Sequence, residues 1–476
     1  MKTLLFSFGA TDCFKNFAAF PHSVFERLSA PLKEGNIRLV FVVPQDRKNE
    51  LNKLEEYQRE HPDSVSIEYV FVRPRSALTR FERLFVFFYS YLVYTGTTAV
   101  LATMGMRLNE PPGGSGRYFA PAKWILSRTF GNIPWVRKTF VPFLYERVFP
   151  EHPFREVFQR VKPDLVFVPN LHDRFDQEVS REAYLEKIPR LGMVLNWDHY
   201  DKYFLPFPPE HILVQSEQMQ DFAERFQKYT LSQTTLTGYP FLDFAWDSKY
   251  AQSRAEVLKE LKFPSSARYI MYISGSMYCP DEPDIIEEML RWADRGELGK
   301  DIYFVIRPYP GAGGRGKDNE FDQKKFEGFA THPRVSVQVK KFWAGLETSG
   351  EFMNIMRHAD AVMAIYSTVV IPAAALDRPL LTLGFDGYKK RPLHRSVKRF
   401  QRREHFKDVI ESGGQASPKS FQELKAKLLE YLERPETDEK KRELLRHRVL
   451  GPFDGKASER IYNALMAHLS TTDRLP

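Results

Sequence analysis

The sequence predicts an α/β protein built as two doubly wound, Rossmann-like domains facing a cleft. Three observations lead there. Short apolar runs alternate with helical patterns almost from end to end, as βα units around parallel sheets require. The chain has 476 residues, beyond the size at which one core usually stops growing. The alternation then restarts after GYPFLDFAWD, Gly238 to Asp247, which sets the boundary. The expected division is residues 1–240 with a basic, aromatic helical insertion near 84–150, residues 241–450, and a final helix in 451–476 packing back across the interdomain region.

In the first half, strands are expected at Thr3–Phe8, Arg38–Val43, Ser66–Val72, Leu165–Val168, Met193–Leu195, Ile212–Val214 and Thr234–Thr237. The opening MKTLLFSFGATDC reads as the first of these; its apolar run is too short for a secretion signal and leads to Asp12 and Lys15. Leu84 to Met106 is the most apolar stretch, yet it carries Ser90, Thr95, Gly96, Thr97 and Thr98, so it reads as a buried or membrane-resting helix. RLNEPPGGSG, Arg107 to Gly116, ends it by composition. In the second half, strands are expected at Tyr269–Ser274, Ile302–Arg307, Val335–Val337, Ala361–Ile365 and Leu380–Leu383. No short repeat is visible, which excludes a solenoid or propeller.

Cys13 and Cys279 are too few and too distant for a disulfide framework or a metal site, so a reducing cytoplasm is the default compartment. The net charge is +8, and its placement is informative. Lys389 to Lys407 holds nine Lys or Arg against a single Glu, and Arg107 to Pro150 holds seven against two acids. Such clusters bind nucleic acid, anionic lipid or phosphorylated small molecules. No nucleic-acid-binding signature accompanies them, so nucleic acid is not an expected partner.

In doubly wound sheets ligands sit beyond the carboxyl ends of the strands. Four such ends in the second half share one character. Ser274-Gly275-Ser276 offers close backbone approach and two hydroxyls. Arg307-Pro308-Tyr309 offers a cation on a stiff backbone, and Lys340-Lys341-Phe342-Trp343 offers charge beside a stacking face. Tyr366-Ser367-Thr368 leads from strand to helix, where hydroxyls are expected to cap and free N–H groups to face an anion. Together they point to a phosphate-bearing ligand.

At these residues the chain resembles a family. RPYPG is similar to the RPHP segment, and STVVIPAAALDRP to the ST-x-x-x-EAA-x-x-x-KP segment, of GT-B glycosyltransferases and their relatives. The nearest groups are bacterial surface-polysaccharide transferases, CDP-glycerol glycerophosphotransferases and UDP-N-acetylglucosamine 2-epimerases. Asn196-Trp197-Asp198 through Lys202 resembles a WDN-x-x-x-K segment, Thr237-Gly238-Tyr239-Pro240 with Asp243 a TGNP-x-x-D hinge, and Gly451 to Ile461 a DGKASERI tail. The resemblance spans most of Gly192 to Ile461. It implies a nucleotide-sugar donor held by the second domain, with Arg307, Ser367 and Thr368 on its phosphates or ribose, and an acceptor held by the first, with Asp198 and Lys202 across the cleft; Ser274, Gly275, Ser276, Tyr309 and Lys340, read from the strand ends, complete the candidate donor contacts. This chain departs from the pattern at Pro372, where the family has a ribose-binding Glu, and at Tyr309, where it has a His.

Glycosyl transfer with inversion needs a base for the acceptor hydroxyl and positive charge for the departing diphosphate. Asp198 with His199, then Asp12, then His172-Asp173 are the candidate bases, each equally readable as a cap or surface charge. Lys202, His172, Lys389, Lys390 and Arg391 are the candidate acceptor or anion contacts. No paired carboxylates of metal-binding type follow a strand, so no metal and no cofactor is required. The expected partners are a nucleotide-sugar donor, a surface-glycan or lipid-linked acceptor, and the anionic inner face of the plasma membrane. Two alternatives stay open: an epimerase of the same fold, and a scaffold that binds glycan or membrane without catalysis, which Pro372 and Tyr309 favour.

Overall fold

The computed structural model describes residues 1–9, 17–18, 22–46, 52–103, 118–275, 278–309, 316–339 and 346–471. The chain forms two compact units: unit 1 is Met1–Tyr94, Pro121–Trp246 and Gly451–Pro476, and unit 2 is Thr95–Ala120 with Asp247–Leu450.

Unit 1 is built on seven strands, β1 (Lys2–Ser7), β2 (Ile37–Pro44), β3 (Val65–Val70), β4 (Leu165–Val168), β5 (Arg190–Met193), β6 (His211–Val214) and β7 (Thr234–Leu236). Their order is β3-β2-β1-β4-β5-β6-β7 with every pair parallel, so the winding reverses between β1 and β4. The strands are nearly continuous apolar runs because helices cover both faces. β5 ends at Met193, earlier than the expected Met193–Leu195. The apolar run continues past the last paired residue because Val194 and Leu195 stay buried outside the ladder.

Phenylalanines fill the centre of this core. Phe6 packs against Phe17, Phe25, Phe41 and Phe167 with ring centroids 4.9 to 5.6 Å apart. Ile461, Leu465 and Leu469 of the helix Ala457–Thr471 belong to the same core, so this helix is an integral part of unit 1. Two family-like segments meet at its start. Gly238 (φ +83°) lies so close to Pro452 that a Cβ there would stand 2.3 Å from the Pro452 carbonyl oxygen. The buried Asp243 carboxylate accepts from the N–H groups of Ala457 and Ser458, although burial pushes its pKa above the usual carboxylate range.

The apolar stretch Leu84–Met106 is not one helix. Arg80–Ser90 is capped by a Thr79–Glu82 box, and Gly96–Leu101 restarts behind Thr95, whose hydroxyl accepts from Thr97 N–H at 3.1 Å. Among the described residues no helix is long and apolar enough to cross a membrane.

Unit 2 carries β8 (Arg268–Ile273), β9 (Ile302–Arg307), β10 (Val335–Val337), β11 (Ala361–Ala364), β12 (Leu380–Thr382) and β13 (Gln415–Ala416), all parallel in the order β10-β9-β8-β11-β12-β13. The winding reverses between β8 and β11. β13 has no counterpart in the sequence reading, since two residues between Gly413-Gly414 and Ser417-Pro418 carry no periodicity. The basic segment Lys389–Lys407 is folded: Asp386 accepts from Ser396 Oγ and from Val397 N–H at 2.7 Å, which closes the loop over a 3-10 turn at Val397–Arg402.

Candidate functional site

In unit 2 the carboxyl ends of β8, β9 and β11 converge at the point where the winding reverses, the place where open α/β sheets bind ligands. Gly275 follows β8, and a Cβ there would lie 2.6 Å from Ile365 Cδ1 at the end of β11, so only glycine lets the two ends close on each other. Beneath this turn sits a buried polar network. Glu282 accepts from Gly275 N–H at 2.6 Å, Ser274 Oγ lies within hydrogen-bond distance of both Glu282 (2.9 Å) and Asp322 (2.8 Å), and Lys325 Nζ lies 2.6 Å from Glu282 and 2.7 Å from Asp322. Asp322 also accepts from Tyr309 N–H. Burial draws the Lys325 ammonium down, but the two carboxylates outweigh it and hold the group above its ordinary value. The network therefore fixes the turns after β8 and β9. Glu282 reads in the sequence as a first-turn helix residue, and only the fold shows that it reaches back to β8.

The predicted donor residues fall into four groups. Ser274 is buried in the network and Gly275 makes the close approach just described. Ser367 and Thr368 lie in the turn after β11, partly and fully exposed, and neither caps the helix that follows. Val369 occupies the cap position, and Val370–Ala375 has six residues, too short for its N-terminus to hold an anion alone. The capping expectation is thus corrected: neither hydroxyl bonds the helix's free N–H groups. Pro372 is buried in this helix's first turn, where its missing N–H costs nothing. Arg307 is only 2% exposed, with its guanidinium 5.6 Å from the Phe352 ring centre; burial draws its pKa down while Glu351 draws it up. Tyr309 is exposed. Ser276 and Lys340 lie outside the described residues.

The basic loop supplies a residue the sequence did not single out. Arg399 is 2% exposed and stacks 4.4 Å over Phe400, whose ring also meets Tyr278 in the turn after β8 at 6.1 Å. Arg399 Nη1 donates to the Ser396 carbonyl at 2.7 Å, whereas its Nε and Nη2 find no acceptor among the described residues. Desolvation, then neighbouring Arg403, lowers its pKa to about 10, and no carboxylate pairs with it among the described residues. A buried cation with two open donors is costly unless an anion completes it. Of the predicted anion contacts, Arg391 and Lys389 are committed to Asp281, with Arg391 Nη2 at 2.8 Å and Lys389 Nζ at 3.2 Å. Against the upward pull of burial, those bonds hold Asp281 below the usual carboxylate range. Lys390 is exposed. Elsewhere, a cavity of about 420 Å³ opens at the amino-terminal end of this sheet, among Arg254, Asp360, Asp377 and Arg442. Arg254 pairs with Asp360 at 3.0 Å and Arg442 with Asp377 at 2.9 Å, a structural network at the opposite end of the strands from Gly275 and Ile365.

In unit 1 the carboxyl ends of the neighbouring strands β4 and β5 bring together His172, Asp198, His199 and Lys202. His172 Nε2 donates to the His199 carbonyl, and the two imidazoles meet edge to face at 5.1 Å. Burial, then Lys202, pushes the His172 pKa down to about 3, so the ring is neutral. Lys202 Nζ lies 2.7 Å from the Asp198 carboxylate, which His199 Nε2 approaches at 3.9 Å. Asp198 is partly exposed and Trp197 beside it is buried, so the turn is anchored and its carboxylate presented. Asp173 caps the helix Arg174–Leu185, accepting from Phe175 N–H at 2.9 Å. Asp12 lies outside the described residues. Among the described residues no three His, Cys, Asp or Glu converge as a metal-holding group.

These two parallel sheets define the GT-B fold. The chain is similar in structure to a protein assigned as a UDP-N-acetylglucosamine 2-epimerase from Listeria monocytogenes, with a TM-score of 0.51, 14% identity, and 100% of this chain and 98% of that one covered. It is also similar to the UDP-N-acetylglucosamine 2-epimerase of Neisseria meningitidis, solved with UDP-N-acetylglucosamine, with a TM-score of 0.50, 13% identity, and coverage of 98% and 100%. No protein-family model matches the sequence, and no curated protein sequence matches it.

Proposed function

We propose that this chain is a metal-independent glycosyltransferase that moves a sugar from a nucleotide-sugar donor to a surface-polysaccharide or lipid-linked acceptor. The observation that carries the reading is Arg399, a buried guanidinium with two open donors at the ligand-binding end of unit 2. The Neisseria structure, which has the same fold, binds a nucleotide sugar, and that supports the same class of ligand here. Unit 2 holds the donor: Arg399 takes the diphosphate, Ser367 and Thr368 offer hydroxyls, and Tyr309 offers an exposed ring. Unit 1 carries the groups that handle the acceptor. The Asp198 carboxylate removes the hydroxyl proton, the freed oxygen bonds to the anomeric carbon, and the bond from that carbon to the diphosphate oxygen breaks. Lys202, 2.7 Å from Asp198, orients that carboxylate, and Arg399 stabilises the charge that develops on the leaving group.

The test is a thermal-shift panel of UDP, GDP, CDP, ADP and CMP, followed by donor turnover with and without acceptor. One nucleoside diphosphate should stabilise the protein, and Arg399→Gln should abolish that shift while the fold persists. No shift with any nucleotide overturns the reading. Sugar conversion without acceptor and without release of nucleotide would assign epimerisation instead.

A further inference from the structure

We infer that one face of unit 1 docks on an anionic lipid bilayer, through exposed aromatic and aliphatic side chains set among cations. The helix Arg80–Ser90, the helix Ala120–Arg128, the π-turn Val136–Phe140 and the helix Val141–Val148 form a layer with its own core, in which Phe85, Tyr89, Val136, Val141, Tyr145 and Phe149 are buried. The opposite side of these elements is also apolar. Phe81, Leu84, Trp124, Ile125, Trp135 and Phe143 are each more than half exposed, with Leu84 at 65% and Trp135 at 60%. Monomeric proteins leave single apolar side chains in water but seldom a contiguous group of this size. The elements touch one another: Phe88 meets Phe130 at 6.0 Å and Phe140 at 6.3 Å, Trp135 stacks on Phe140 at 5.5 Å, and Lys123 Nζ lies 4.2 Å over Tyr91. The elements that carry the exposed side chains are therefore packed against one another.

The charge on this face identifies its occupant. Arg80, Arg83, Arg128, Lys138 and Arg147 are all exposed, and among the described residues none of them forms a salt bridge. The two acids on these elements are turned inward: Glu82 is buried on Arg73, and Glu146 pairs with Arg181. Arg147 lies 3.5 Å over the Phe143 ring and Arg128 6.0 Å over Trp124, so cation and apolar ring share each position. Protein interfaces deplete lysine and balance their charges, whereas a bilayer surface rewards interfacial tryptophan beside arginine and lysine of a single sign. Anionic headgroups add attraction for each cation near the surface. Lys389–Lys407, the other basic segment, is folded on itself with Arg391 and Lys389 on Asp281 and Lys407 on Glu404, so the lipid-facing role falls to the aromatic layer.

The experiment is flotation of the full chain with phosphatidylcholine vesicles, with and without phosphatidylglycerol, in the absence of any nucleotide, so its outcome is independent of the donor reading. The protein should float with the anionic vesicles, less at high salt, and brominated lipid should quench its tryptophan fluorescence. Trp124→Ser with Trp135→Ser should weaken flotation by about tenfold or more. Arg128→Gln with Lys138→Gln and Arg147→Gln should remove the preference for phosphatidylglycerol. All these positions are exposed, and circular dichroism of each variant should match that of the parent. Absence of flotation by the parent, equal flotation by the tryptophan variant, or self-association through this face without vesicle binding would each overturn the inference.

Discussion

The Asp243 carboxylate accepts the backbone N–H of Ser458 at 2.7 Å across 215 residues of sequence. Arg460 Nη1 donates to the Thr237 carbonyl at 3.3 Å in the same corner, and Trp246 meets Phe453 at 5.1 Å. Two of the segments that resemble GT-B enzymes are thus a single clasp, and their role in this structure is architectural. Asp243→Ala should destabilise the protein by about 1–3 kcal/mol, through loss of a helix cap and two buried hydrogen bonds. Asp243→Asn, which keeps one acceptor, should cost less. Urea denaturation followed by circular dichroism measures both, and an unchanged midpoint for the alanine variant would remove the clasp.

Lys325 lies between two fully buried carboxylates. Lys325→Met should cost about 3–5 kcal/mol because Glu282 and Asp322 would be left buried without a counter-charge. Lowering the pH should restore part of that loss in the variant and not in the parent, since protonation neutralises the orphaned acids. A chemical melt at two pH values reads this directly.

Gly275→Ala should disturb the turn after β8, because the new Cβ would overlap Ile365. Nucleotide-induced thermal stabilisation should fall, and adding Ile365→Ala should return part of it by vacating the space. A double variant no better than the single one would exclude this contact as the cause.

His172 makes folding sensitive to acid. Its folded pKa lies near 3, below the ordinary 6.5, so the unfolded chain takes up a proton that the folded one refuses. The stability from this group is complete above pH 6.5 and is lost progressively as the pH falls toward 3. His172→Gln, which keeps a donor for the His199 carbonyl, should flatten that part of the stability profile. Denaturant midpoints taken between pH 7 and pH 4 decide it.

Asp198→Asn should lower turnover by about 10²-fold or more while leaving nucleotide binding unchanged, as expected for a base that touches only the acceptor. A parallel loss of nucleotide affinity would place Asp198 elsewhere in the reaction.

The fold was largely legible because buried parallel strands are apolar runs, and twelve of the thirteen strands announce themselves that way. What escaped was whatever depends on residues distant in sequence. Glu282 reads as a helix-start acid until β8 is folded over it, and Arg399 is one cation among nine until burial separates it from the rest. Ser367 and Thr368 do follow β11, yet their expected capping role fails because the helix begins two residues after Thr368. The apolar stretch from Leu84 shows the same limit, since hydropathy sees one run where Thr95 starts a second helix in the other unit.

Unit 1 is assembled from three separate lengths of chain, and the last of them contributes Ile461, Leu465 and Leu469 to the core around β1. During synthesis, therefore, β1 through β7 precede that filling by the whole length of Asp247–Leu450, the larger part of unit 2. A chain cut before residue 457 lacks these three side chains and leaves the core around β1 open on one side.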